Sequence, residues 1–245
     1  MTTYWHGTAM YAMHLMMIAA LTWDNDFYEV ALYWCGAAVN STTVLLLSIA
    51  TGKLGVTAGS IFYLPFALIA PSVLYCLRYQ KSVPVIVGPR KPLLKRPADL
   101  LFLAYLAFAS VVAVVRGVAA EGTHIWWVGQ YIDFVEPYLQ QKDPAPFPRV
   151  QMLIYLFHHM PLYLLCMYGL LVPGCHWMPD VTLFLAGAAL QGQVTHIGAS
   201  FHPRTPYVLR VPQDLSSCLT FWSVNIPLAL IPQFFAFRCE KRRSL

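Results

Sequence analysis

Polar side chains recur inside long apolar stretches of this sequence, and their spacing indicates a shared site. Gln151, Tyr155 and His158 follow the spacing i, i+4, i+7, which places them on one face of an α-helix. Gln193 and His196 share a face of another apolar stretch. Their amide, phenol and imidazole groups donate and accept hydrogen bonds, so together they can hold the polar tip of an otherwise apolar ligand.

The depth of these residues in their stretches leads to the same interpretation. At 1.5 Å per residue, His158 and Asn225 lie about 14–15 Å into their helices, near the middle of a bilayer. Polar groups at this depth are costly unless they pair or line a wet cavity. Two interpretations remain open: a ligand-lining cavity, or interhelical hydrogen bonds of about 0.6 kcal/mol each that hold the helices together.

Two charged residues flank the same region. Glu136 belongs to an aromatic loop over residues 121–148, as a solvated charge or as part of a lid over a cavity mouth. Arg116 lies about 27 Å along its apolar stretch, and we expect it to snorkel to the membrane interface without a role in binding. The predicted ligand-binding set is Gln151, Tyr155, His158, Gln193, His196, Asn225 and Glu136.

Other chemistries are poorly supported. His158 and His159 are adjacent, so on a helix they point about 100° apart and make a poor metal chelate. The six cysteines lack CxxC spacing and are interpreted as small core residues, so we expect neither a metal nor another cofactor. The net charge of +5 resides in short loops without a stacking platform, which argues against nucleic-acid binding.

The composition of the sequence indicates that the elements carrying these residues are transmembrane helices. The 245 residues are 58% hydrophobic and only 11% charged, against about 25% charged in a soluble domain. The sequence therefore predicts an all-α polytopic membrane protein rather than a soluble enzyme. The predicted protein has about seven transmembrane helices. Each is near the length of about 20 residues that a bilayer requires. The apolar windows are 7–23, 28–50, 56–77, 98–120, 149–172, 181–201 and 215–237.

Basic residues predict the orientation of these helices. The connection 78–97 contains six Lys or Arg residues and the C-terminal tail four, whereas loops on the opposite side contain five. Short cytosolic loops carry the excess of Lys and Arg. We therefore expect the connection and the tail to be cytosolic and the N-terminus to be lumenal.

Two parts of the chain resemble each other. Residues 32–40 parallel 183–191, with a shared Gly-Ala-Ala, and residues 64–69 parallel 226–231, with a shared Pro. Chance similarity between apolar helices is the alternative. A parallel repeat would make the first three helices equivalent to the last three, and the fourth helix would open the second copy. The predicted divisions are an incomplete repeat 1–78, a basic linker 79–97, a complete four-helix domain 98–237 and a basic tail 238–245.

Segments in order along the whole chain resemble the transmembrane 6 superfamily member family, with the choice between members 1 and 2 open. The chain departs from the family at His6, where Asp is usual. The segments that carry the resemblance are Leu94-Lys95-Arg96-Pro97-Ala98-Asp99-Leu100, Arg116-Gly117, Glu136-Pro137-Tyr138-Leu139, Val150-Gln151-Met152-Leu153, Trp177-Met178-Pro179-Asp180, His196-Ile197-Gly198-Ala199-Ser200 and Arg210-Val211-Pro212.

The resemblance implies two tandem EXPERA domains, the four-helix unit of the sterol isomerase called emopamil-binding protein and of the sigma-2 receptor. Family members have further helices upstream, so we expect this chain to begin inside the first domain, as a fragment or a short form. The resemblance also implies residence in the endoplasmic reticulum, a related endomembrane or the lysosome. It implies a role in lipid and lipoprotein handling, with a membrane lipid or sterol-like ligand and lipid-handling membrane proteins as partners.

The chemistry of the isomerase does not carry over to these residues. Moving a sterol double bond requires an acid and a base at the reacting carbons. In the isomerase, carboxylates and a His on the first two helices of the domain supply them. Here the matching positions are Ser110 to Arg116 and Met152-Leu153. We therefore expect lipid handling without catalysis, with a sterol isomerase-like enzyme or a lipid transporter as alternatives.

Overall fold

The computed structural model describes residues 1–52, 55–77, 93–122, 125–140, 147–172, 174–203, 205–210 and 214–243. This part of the chain is built of helices and contains no strand. Each of the seven apolar windows contains a helix, so the predicted all-α class is confirmed. Most of the predicted basic linker 79–97 lies outside the described residues.

Short π-helical and 3₁₀ turns accompany the α-helices of the described residues. A π-helical turn interrupts α1 at His6–Met10, and a second one interrupts α6 at Tyr155–His159. Short 3₁₀ turns occur at Leu93–Lys95, Pro137–Gln140 and Tyr207–Leu209. The helices are α1 over residues 2–22, α2 Tyr28–Thr51, α3 Leu64–Leu77, α4 Pro97–Ala120, α5 Trp126–Phe134, α6 Phe147–Leu171, α7 Met178–Phe201 and α8 Leu215–Arg243.

Four helices of the described chain are long and apolar enough to cross a membrane. They are α2, α4, α6 and α8. The apolar part of α3, Ala67–Leu77, is shorter. Helix α7 has the length of a span, but Gln191, Gln193 and His196 make it more polar than its neighbours. The chain is a multi-pass membrane protein, and the count of about seven spans stays a prediction for α1, α3 and α7.

The main hydrophobic core lies between the last four long helices. Leu106 of α4, Met152 of α6, Leu185 of α7 and Phe235 of α8 are buried in one cluster. Two polar regions are embedded in this packing, one where α4 ends and one between α2, α6 and α7. The core therefore fixes the relative positions of the helices that carry the polar side chains.

Helices α2 and α7 approach each other at two glycines. A Cβ on Gly36 would overlap the backbone carbonyl of Phe184, and a Cβ on Gly187 would overlap the backbone carbonyl of Tyr33. The two contacts are reciprocal, and the predicted repeat pairs the same residues, Gly36 with Gly187 and Tyr33 with Phe184. The helices therefore cross about an approximate twofold axis, with small residues at the closest approach, as is common in membranes.

An ion cluster joins three helix ends. Asp99, 1% exposed, accepts from Arg96 at 2.7 Å and from Arg238 at 3.1 Å. Arg96 also donates to the carbonyl of Leu170 at 3.3 Å. The start of α4, the end of α6 and the end of α8 thus lie at one end of the bundle, as the alternation of helix directions predicts.

Candidate functional site: buried polar clusters around α6 and α7

An arginine–glutamate ion pair lies buried where α4 ends. Arg116 is 1% exposed, and its Nη2 donates to Glu136 Oε1 at 2.5 Å. Its Nε also donates to Glu136 Oε2 at 3.3 Å. The prediction that Arg116 snorkels to the interface is therefore wrong. The segment after α5 folds back over α4, and the Glu136 carboxylate neutralises the guanidinium inside the protein, so the charge need not reach the headgroups.

Further partners surround the guanidinium of Arg116. Nη2 donates to Asn225 Oδ1 of α8 at 2.8 Å, and Nε is 3.3 Å from the Tyr131 hydroxyl. The guanidinium carbon lies 4.8 Å from the ring centre of Tyr155, in cation–π geometry. Asn225 orients its oxygen toward Arg116 because its amide nitrogen donates to the Phe221 carbonyl at 2.9 Å. We call Arg116, Glu136, His196, Asn225 and Tyr138 the ion-pair cluster.

His196 completes the ion-pair cluster from α7. Its Nε2 lies 2.9 Å from Glu136 Oε1, and its Nδ1 is hydrogen-bonded to the Tyr138 hydroxyl. A neutral imidazole with the proton on Nε2 donates to Glu136 and accepts from Tyr138. Arg116 Nη2 also lies 3.3 Å from this Nε2, but in this tautomer it donates to Glu136 and Asn225 and not to the ring. This tautomer is assigned from the partners. The ring thereby connects α7 to the segment that covers α4.

The segment that covers α4 consists of α5 and the residues up to Gln140, and we call it the covering segment. The electrostatics around its Glu136 carboxylate oppose proton transfer. Burial alone would raise the pKa of Glu136, but the charge of Arg116 and the hydrogen bonds from Arg116 and His196 hold it well below its ordinary 4.5. Burial raises the pKa of the Tyr131 and Tyr138 phenols. Glu136 is therefore a fixed carboxylate and both phenols stay protonated near neutral pH. The arrangement suits holding helices together better than acid–base chemistry.

The lowered pKa of Glu136 predicts a pH dependence of stability. A carboxylate whose pKa falls on folding stabilises the protein above its unfolded pKa and loses that contribution as pH falls. We expect the difference in unfolding free energy between the protein and its Glu136→Gln variant to be constant above about pH 5.5 and to shrink below about pH 4.5. Denaturant titrations in detergent at several pH values measure it. A constant difference down to pH 3.5 would contradict the ion-pair assignment.

A second polar region surrounds Gly192 of α7. A Cβ on Gly192 would lie 3.3 Å from Gln151 Nε2, 3.3 Å from the Tyr155 hydroxyl and 3.4 Å from Asn40 Nδ2. Three polar side chains from α2 and α6 therefore converge beside a residue without a side chain. We call Asn40, Gln151, Tyr155 and Gly192 the Gly192 junction.

The members of the Gly192 junction differ in how well they are paired. Asn40 donates to the Gln191 side chain and accepts from His159 Nε2 at 2.9 Å. The Tyr155 hydroxyl donates to Gln193 at 3.2 Å. Gln151 is fully buried, yet neither of its amide atoms has a hydrogen-bond partner among the described residues. Because buried polar groups are nearly always paired, Gln151 is the exceptional member.

His159, rather than His158, reaches the polar interior. His158 is half-buried, and its ring lies 6.0 Å from that of Phe184. The spacing that groups His158 with Gln151 and Tyr155 assumes a regular α-helix. The π-helical turn Tyr155–His159 has one more residue per turn, which rotates the following residues and moves His159 onto the face that continues from Tyr155.

The predicted site residues thus fall into two neighbouring groups. Glu136, His196 and Asn225 join the ion-pair cluster, and Gln151 lies in the Gly192 junction. Tyr155 touches both groups and binds Gln193, whereas His158 lies apart. Whether any of them binds a ligand stays a prediction. Sequence reasoning placed Gln191 near the middle of the membrane, and the predicted repeat paired it with Asn40. It missed the roles of Arg116, Tyr131, Tyr138, Asn40 and His159.

A helical protein with four apolar spans and polar clusters buried between them is a polytopic membrane protein. A family model described as "Transmembrane 6 superfamily member 2-like, transmembrane domain" matches residues 1–88. The chain is 38% identical to transmembrane 6 superfamily member 2 from Mus musculus, over 96% of this chain. It is 36% identical to the proteins of that name from Rattus norvegicus and Homo sapiens, again over 96% of this chain. The chain therefore resembles the transmembrane 6 superfamily member 2 proteins over nearly its whole length.

Two further facts limit what the similarity to these relatives implies. The chain spans 64% of the length of the curated relatives it matches. No solved structure matches it. Any function of the full-length relatives is therefore only a proposal for this chain.

Proposed function

We propose that this chain is a lipid-homeostasis protein of the endoplasmic reticulum or a related endomembrane, with the lysosomal membrane as the alternative. It binds a sterol-like or other apolar lipid between its helices, in an EXPERA-type bundle, and supports lipid and lipoprotein metabolism without catalysis. Other lipid-handling membrane proteins are its expected partners. The family resemblance supports the compartment and the lipid class, and the Gly192 junction supports binding.

The unpartnered amide of Gln151 is the observation that carries this proposal. A buried polar group without a hydrogen bond costs about 1–3 kcal/mol. A ligand hydroxyl that displaces the Gln151 and Tyr155 side chains from Gly192 would accept from Gln151 Nε2 and donate to its Oε1 or to a neighbouring oxygen. The apolar body of the ligand would contact the surrounding aliphatic side chains. This division between one polar contact and a large apolar surface is typical of lipid and small-molecule sites.

The ion-pair cluster supports the absence of catalysis. Glu136 is already bound by Arg116 and His196, so it is poorly suited to take a proton from a ligand. Its lowered pKa makes it an equally poor acid. The cluster instead fixes α4, α7 and α8 against the covering segment. It thereby helps to keep the neighbouring Gly192 junction in one geometry, as a binding site requires.

Replacing Gln151 with leucine tests the proposal. We expect lipid retention to fall about tenfold, because one good hydrogen bond is worth about 1.4 kcal/mol. The delipidated variant should be at least as stable as the parent, since an unpaired amide has been removed. The measurement is mass spectrometry of sterols that copurify with the protein in nanodiscs, together with its thermal unfolding. The matched control is Gln130→Leu, the same substitution at an exposed glutamine of α5.

Two results would contradict the proposal of lipid binding without catalysis. One is equal sterol retention in the Gln151→Leu and Gln130→Leu variants. The other is sterol isomerisation by the purified parent protein, which would favour the enzymatic alternative. A loss of retention that is accompanied by a large loss of stability would indicate that Gln151 only holds helices together.

A further inference from the structure

The two repeats share an unusual local feature. Helix α1 contains a π-helical turn at His6–Met10, and α6 contains one at Tyr155–His159. Both turns span five residues and begin 149 positions apart. Isolated π-helical turns are rare and often mark functional sites. Their matched positions in α1 and α6, together with the reciprocal glycine contacts of α2 and α7, align the two repeats residue by residue.

This alignment relates the polar residues of the second repeat to a groove in the first. Tyr155 corresponds to His6 and Gln151 to Thr2, from the offset of the π-helical turns. Gln193 corresponds to Thr42, from the offset between Gly36 and Gly187. His6, Thr2 and Thr42 all line one groove, whose volume is about 200 Å³. The remaining lining residues are Thr3, Leu45 and Tyr63.

We propose that this groove, the first-repeat groove, is a second lipid site that takes the hydroxyl-bearing end of a sterol-like lipid. It rests on the proposed function for the class of lipid. The volume is below the about 300–1,000 Å³ of pockets that enclose a whole small molecule. The groove therefore holds only the polar end and the adjoining ring, and the rest of the lipid contacts the surrounding hydrocarbon.

The chemistry of the first-repeat groove fits a hydroxyl. His6 Nε2 lies 3.1 Å from Ser41 Oγ, which donates to the carbonyl of Ala38 and therefore accepts from His6. His6 Nδ1 is then the acceptor of the ring. The Thr42 hydroxyl donates to the Ala38 carbonyl at 2.6 Å, so its lone pairs remain available as acceptors. A ligand hydroxyl can donate to either acceptor, while Leu45 contacts the adjoining ring of the lipid.

Photolabelling of the full chain in nanodiscs separates the two sites. The probe is a cholesterol analogue that carries a diazirine on its ring system and a free 3-hydroxyl, with labelled peptides mapped by mass spectrometry. We expect one group of labels on α1, α2 and Tyr63 and another on α6 and α7. Cholesterol should compete at both, and its 3-deoxy analogue at least fivefold less well.

Substitutions then assign the first group of labels to the groove. Thr42→Val should lower labelling of α1 and α2 at least fivefold and leave α6 and α7 labelled. Thr43→Val is the matched control, because Thr43 makes the same bond to its own helix but is exposed. His6→Leu should act like Thr42→Val, and thermal unfolding checks that each variant is folded.

Each remaining outcome contradicts one site or both. Labels on α6 and α7 alone, or first-repeat labels that Thr42→Val and His6→Leu leave unchanged, overturn the groove and leave the proposed function intact. Labels on α1 and α2 alone uphold the groove and contradict a site at Gln151. Absence of competable label from both repeats overturns both proposals.

Discussion

Replacement of Arg116 by methionine is expected to destabilise the protein by about 3–5 kcal/mol, the usual cost of removing one partner of a buried ion pair. Methionine has a similar length and fills the space, but it leaves the fully buried Glu136 carboxylate without its cation. Asn225 loses a donor in the same step. The free energy of unfolding in detergent, measured by denaturant titration, checks the value. Lys95→Met, the same kind of change at an exposed cation, should cost less than about 0.5 kcal/mol.

A double variant distinguishes the loss of charge balance from the loss of packing. Arg116→Met combined with Glu136→Gln leaves no net charge in the cluster and should recover part of the stability lost in Arg116→Met. If the double variant is instead destabilised by the sum of the two single changes, Arg116 and Glu136 do not act as a pair. A cost for Arg116→Met as small as that for Lys95→Met would contradict the buried pair outright.

Arg116 also shows what the sequence can and cannot predict. The apolar windows located α1 to α4 and α6 to α8, because burial in a bilayer imposes a length and a composition on each segment independently. They did not locate α5, which is too short to cross a bilayer. Counting residues along α4 also placed Arg116 near the end of this helix. Its partner was not, because Glu136 lies 20 residues later and reaches Arg116 only when the segment after α5 folds back. That return depends on tertiary packing, which no local pattern encodes.

The separation of His158 from Gln151 and Tyr155 has a more local physical reason. Residue spacing predicts a helical face only while the helix keeps 3.6 residues per turn. The π-helical turn in α6 breaks that rule between Tyr155 and His159, so His159 takes the place that regular spacing gives to His158. The repeat predicted from the sequence also pairs Asn40 with Gln191. The structure brings these two side chains into contact, because they flank the approximate twofold axis.

That axis makes a strong prediction about Gly36 and Gly187. Substitution of either by alanine should destabilise the protein by about 3 kcal/mol, the upper end of typical overpacking costs, because the new methyl group would overlap a backbone carbonyl rather than a movable side chain. Unfolding in detergent measures the effect. Gly129→Ala is the control: Gly129 lies in α5 with nothing near its Cβ position, so alanine should be neutral or stabilise by up to about 1 kcal/mol.

The relative size of the two glycine effects tests the symmetry itself. In a reciprocal contact each alanine forces the same two helices apart from opposite sides, so Gly36→Ala and Gly187→Ala should cost similar amounts. The double variant should cost less than their sum, because one separation of α2 from α7 relieves both overlaps. A large cost for one glycine and none for the other would mean that only one contact holds the helices together. The correspondence between the first-repeat groove and the Gly192 junction would then lose its structural basis.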